Sequence, residues 1–188
     1  MDEILPYSLE DMCGEHLKFR NFIECGDTFN KNEVDNLPQS EKTYDALINL
    51  AKLVVDPVIK EFGEINLTYA FAGPELTKLI KGRIAPSLDQ HASYELNTRG
   101  KRVCGRGGAA VDFNINNIGS FFLSRWIVHN CSYDRLYYYG NKRPIHVSSG
   151  PENSRSVVVM KRSIVSSKLI PRNYTGKKFL ELERDPLG

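Results

Sequence analysis

Three residues could offer a lone pair to a metal, two of them from strands and one from a loop: His146, Asp112 and His91. His146 alternates with Ile145 and Val147 in RPIHVS, so on a strand it faces away from those apolar neighbours. Asp112 interrupts AAVDF, whose other members are small or apolar. A carboxylate there needs a cation or several donors to offset its desolvation. His91 stands in DQH, inside a long stretch without periodicity. Taken singly, each has an ordinary explanation: a satisfied core histidine for His146, a loop histidine for His91, and an ion pair with Arg106 or Arg135 for Asp112. The remaining histidines read as structural, His16 in an irregular segment and His129 at the end of an apolar helix, where an imidazole meets the helix dipole favourably.

Elements must exist to position these groups. Residues 1–40 hold few periodic apolar positions and many turn formers, and read as short helices and loops wrapping the surface. From Ser40 to Phe62, Tyr44, Leu47, Ile48, Ala51, Val54, Val55 and Ile59 recur at helical spacing, with Ser40 placed to cap. Pro57 should end or kink that helix near Asp56. INLTYAF at 65–71 reads as a strand, and Gly73-Pro74 opens a short helix through Lys81. Residues 83–108 form a stretch long for a plain connector, and such stretches are often functional. AAVDFNI at 109–115 reads as a buried strand and IGSFFLSRWIVHN at 118–130 as an apolar helix. RLYYYG at 135–140, PIHVSS at 144–149 and VVVMKR at 157–162 suggest an antiparallel meander. The expectation is a single α+β domain over 1–188, a small antiparallel sheet flanked by helices. In it a metal-binding core at 41–162 lies between the wrapping segment 1–40 and a basic tail, 163–188, that has no assignable element.

The 188 residues suffice to close one core, and a hydrophobic share of 41% is that of an ordinary globular protein. Cys13, Cys25, Cys104 and Cys131 form no CxxC pair, which argues against a thiolate zinc knuckle or a disulfide framework. The N-terminus MDEILPYSLEDM is acidic and no apolar run is long enough to cross a bilayer, so a cytoplasmic protein without a membrane span is expected. The net charge of +2 is unevenly spread, with 6 Lys+Arg against 14 Asp+Glu in residues 1–64 and 19 against 9 in the rest. The two halves attract each other across one fold, or the second offers a basic face to an anionic ligand.

In combination the motifs resemble a known superfamily. A strand-turn-helix (YAFAGPEL), a DQH element, a GxAxDF-type strand and a YDRLxxxG…IHVS hairpin are similar to the zinc D-alanyl-D-alanine carboxypeptidase and Hedgehog-type peptidase superfamily, over roughly residues 65–150. The resemblance implies that His91, Asp112 and His146 hold one zinc ion. Two imidazoles and a carboxylate then leave a position for water. The chain also departs from the pattern. Twenty residues separate His91 from Asp112, consistent with an insertion at about Tyr94 to Arg106. Ala72 stands where the family offers an oxyanion-steadying Arg, and Arg143 and Tyr139 stand where it offers a general-base Glu. Loss of that Glu argues against ordinary peptide hydrolysis.

Other residues are placed to take over. Glu95 and Asp89 flank the first histidine as candidate bases, with Tyr139 as a third catalytic candidate. Arg99, Arg102 and Arg106 in the insertion, with Arg143, are candidates for holding a substrate, beside the alternative of a solvated loop. Tyr137 and Tyr139 share one strand face and Tyr138 takes the other. GRGG at 105–108 offers backbone donors to an anion without the context of a P-loop. Three functions follow: a metal-dependent hydrolase with a non-standard small-molecule, peptide or anionic substrate; a non-catalytic zinc-stabilised module for a protein partner; and a nucleic-acid-associated domain whose cations meet phosphates while tyrosines stack on bases.

Overall fold

The structure, a computed structural model, describes residues 6–32, 34–81, 85–166 and 168–188. Two short helices, α1 (Phe19–Ile23) and α2 (Asp27–Asn32), lead to α3 (Glu41–Leu50), a π turn (Ala51–Val55) and α4 (Asp56–Phe62). Strand β1 (Asn66–Tyr69) and helix α5 (Pro74–Leu79) follow, then two 3-10 turns at Pro86–Leu88 and Gln90–Ala92. The second part of the chain comprises β2 (Ala109–Asn114), α6 (Ser120–Asn130), β3 (Arg135–Tyr138), β4 (Ile145–Ser149), β5 (Ser156–Arg162), β6 (Leu169–Thr175) and α7 (Gly176–Leu180). The architecture is α+β, one mixed sheet of 6 strands in the order β1-β2-β4-β3-β5-β6, flanked by helices. No helix among the described residues is long and apolar enough to cross a membrane.

Alternation divides the sheet into two faces. Val111, Phe113, Ile145, Val147, Leu136, Tyr138, Val157 and Val159 point into the core, against Tyr44, Leu47, Leu50, Val54 and Val58 of the long helix and Leu123 and Ile127 of α6. The opposite face carries a row set by register: Asp112 lies opposite His146, His146 opposite Tyr137, and Tyr137 opposite Val158. Packing the apolar face on the helices therefore fixes the polar row on the other side.

Four expectations need correction. The strands do not form an antiparallel meander, because β2 and β3 occupy both edges of β4. The chain must therefore hop to the far edge of β3, where β5 pairs in parallel. Asp134 anchors the hop, its carbonyl accepting from Ser156 N at 3.1 Å and its Oδ1 from Ser154 N at 2.8 Å. Second, the basic tail contains β6 and α7, and Phe179 of α7 is fully buried against Phe121 and Tyr138. Third, the wrapping segment reaches the core, since Phe19, Phe22 and Ile23 are buried. Fourth, Ser40 makes no side-chain cap.

Pro57 acts as expected in kind but not in form. Lacking an N–H and crowding the preceding turn, it sits at the start of α4, and the helix widens into the π turn instead of stopping.

Candidate metal centre

Each residue of the triad is aimed by a different element. Asp112 and His146 project from adjacent central strands, and His146 Nδ1 lies 2.8 Å from Asp112 Oδ1. His91 arrives from the 3-10 turn, with Nε2 at 3.1 Å from both Asp112 Oδ1 and His146 Nδ1. Its ring stacks at 3.9 Å on Tyr69, and its Nδ1 lies 2.7 Å from the carbonyl of Ala70. The turn after β1 also holds the His91 backbone, with Ala72 N donating to His91 O at 3.0 Å. Two residues that spacing alone does not distinguish keep this in place. Asn36 bonds Ile23 O, Phe71 O and Gly73 N. Gln90 bonds Gly107 O and Asp134 Oδ2, and accepts from Ser148 Oγ.

These contacts decide the chemistry. A carbonyl only accepts, so Nδ1 of His91 must donate to Ala70, and neutral His91 is left with a lone pair on Nε2. That lone pair meets a carboxylate oxygen that likewise can only accept. A proton on His91, a proton on His146 Nδ1 shared between the two acceptors, or a cation between the three atoms relieves the conflict. Two imidazole nitrogens and one carboxylate oxygen within 4.8 Å of one another form a group that can hold a metal ion. The donor set therefore fits a divalent metal. Without it, burial lowers the His91 pKa, but the Asp112 and Asp89 charges and the bonds to Asp112 and Ala70 outweigh that and raise it. Burial likewise raises Asp112, yet the two histidines hold it well below the usual carboxylate range.

The triad opens into a cavity of about 230 Å³ bordered by Asp89, Arg106, Tyr137 and Tyr139. Asp89 also caps the His91 turn, accepting from His91 N at 3.1 Å. Burial, then the charges of Asp112 and its neighbours, push the Tyr139 phenol far up, which makes it a donor and unsuits it as a base.

The other candidates lie elsewhere. Glu95 does not reach the cavity: it is 1% exposed, and its carboxylate accepts from Gln39 N, Ser40 N and Thr43 Oγ1 at 3.1, 3.3 and 2.7 Å. It is the cap of α3 that Ser40 does not provide. Arg102 lies over the Tyr94 ring, Arg99 sits on an exposed turn closed by Asn97, and Arg143 is exposed outside the cavity wall. Arg135 pairs with Asp134 and Glu152, so it is no partner for Asp112. Gly107 and Gly108 take left-handed conformations, and a Cβ on Gly108 would collide with Ser149 O at 2.1 Å, so this run serves close packing. The cysteines are buried and free, and burial pushes the thiols of Cys13, Cys25 and Cys131 up to about 12, unsuited to thiolate ligation.

Against known protein families, curated proteins and solved structures, the chain finds no match.

Proposed function

We propose that this chain is a divergent zinc-dependent hydrolase with the fold of the D-alanyl-D-alanine carboxypeptidase and Hedgehog-type peptidase superfamily, acting on a non-standard substrate. The observation that carries the reading is the forced His91 tautomer, which leaves the Nε2 lone pair facing the Asp112 carboxylate, beside His146 Nδ1, at the floor of a cavity. His91, Asp112 and His146 hold the zinc, which supplies Lewis acidity to polarise a carbonyl or phosphoryl oxygen and to acidify water. The chain's own groups supply the rest. Asp89 at the cavity wall is the carboxylate in place to take a proton from the attacking water. Tyr139, held neutral, donates a hydrogen bond to the oxygen on which charge develops, the task that falls vacant with Ala72 in the turn. Gln90 and Asn36 keep the His91 turn in register, and the buried sheet behind the triad excludes water from that side.

The test is turnover by zinc-loaded protein on a panel of amides, esters and phosphoesters. Asp89→Asn should abolish turnover with metal content unchanged, and unchanged turnover would remove Asp89 from the mechanism.

The second reading, a zinc-stabilised binding module for a protein or nucleic acid, is favoured by one observation: Glu95 is consumed in capping α3. It expects no turnover on the panel and a lower melting temperature on metal removal.

A further inference from the structure

Of the four arginines suited by sequence to hold a substrate, only Arg106 borders the cavity. It is half-buried, and both of its hydrogen bonds leave from Nη1 and are long, 3.3 Å to Leu88 O and 3.4 Å to the Tyr137 hydroxyl. Among the described residues it forms no ion pair. A guanidinium has five donors in a rigid fork, so most of its capacity is unspent, although desolvating an arginine without an anion is costly. Tyr137 brings that fork to the triad. Its ring packs edge-on against His146 at 5.1 Å between centroids, its hydroxyl accepts from Arg106, and its own proton is left to donate. Lys81 adds a second cation to the cavity wall.

We propose that Arg106 and Tyr137 form an oxyanion-binding subsite beside the triad, and that the substrate carries a carboxylate or phosphate group which this fork selects. The proposal deepens the hydrolase reading and rests on it. It makes Arg106 a specificity determinant and gives Arg99, Arg102 and Arg143 no part in binding. A bidentate fork is suited to two oxygens of one anion, which a lysine cannot imitate.

The experiment uses the full chain loaded with zinc, titrated calorimetrically with inorganic phosphate and with acetate at fixed chloride. Zinc affinity is measured separately by chelator competition. Arg106→Gln should weaken anion binding by about tenfold or more, Arg106→Lys by less, and Tyr137→Phe least, with zinc affinity unchanged in all of them. Stronger binding of phosphate would identify phosphoesters as the source of the group, and stronger binding of acetate would identify carboxylates, each supporting the subsite if it depends on Arg106. Normal zinc affinity with anion binding indifferent to Arg106→Gln would overturn the subsite alone. Failure to bind zinc at all would instead overturn the metal reading, and the subsite with it.

Discussion

Asp112, partly buried at the cavity, and Glu95, fully buried, are both carboxylates beside the segment that carries His91, and their surroundings are opposite. Glu95 is met by three donors at the start of α3, two backbone amides and a hydroxyl, that have no other partner among the described residues. Its demand is satisfied and it does nothing further. Asp112 is met by two imidazole nitrogens, one of which has its proton committed elsewhere. Burial alone thus does not mark a reactive acid. What distinguishes Asp112 is an acceptor, His91 Nε2, set against it, a conflict that a proton or a metal cation between the groups relieves.

The largest expected effect separates the two regions directly. On the proposed zinc reading, Asp112→Ala should weaken zinc binding by more than about 100-fold, the upper end of what losing a mere supporting partner costs. Glu95→Ala should leave metal binding nearly intact and instead destabilise the fold by about 3 kcal/mol, because it orphans the donors at the start of α3. Chemical unfolding and chelator competition on both variants check the pair, and a reversed pattern would break the contrast. Gln90→Ala falls between, with an expected loss of about tenfold in zinc affinity, since Gln90 holds the turn without touching the metal position.

The smallest effect is in pH. In metal-free protein the His91 pKa is raised, so its contribution to stability is complete below the unfolded imidazole value of about 6.5 and is lost as pH rises through the folded value. The Asp112 pKa is lowered, so its contribution is complete above about 3.9 and is lost as pH falls towards the folded value. The pair should stabilise metal-free protein more at about pH 5 than at about pH 8, judged by urea unfolding against Asp112→Asn. Zinc affinity should run the other way, rising with pH as the proton on His91 ceases to compete.

The sequence makes Asp112 and His146 stand out singly, and only the combined motif order, by its resemblance, joins them to His91. Asp112 and His146 each stand between apolar residues on their strands, and a period of two is enough to put them on the face away from the core. Glu95 is illegible because nothing local says that the loop after His91 folds back 52 positions to Thr43. Strand β6 is hidden by Pro171 and by its exposure, which erase the alternation that reveals a half-buried strand. The parallel pairing of β5 is hidden because it depends on which edge of β4 is already taken, a fact of assembly that no single segment carries. Asn36 and Gln90 are ordinary polar residues until the backbone groups they hold are brought to them.

The most direct measurement is the metal content, by elemental analysis, of the purified chain and its Asp112→Ala and Glu95→Gln variants. Near-stoichiometric zinc in the native chain and in Glu95→Gln, with almost none in Asp112→Ala, is the expected result. A native chain that takes up no metal, or an Asp112→Ala variant that keeps it, would contradict the assignment of the centre.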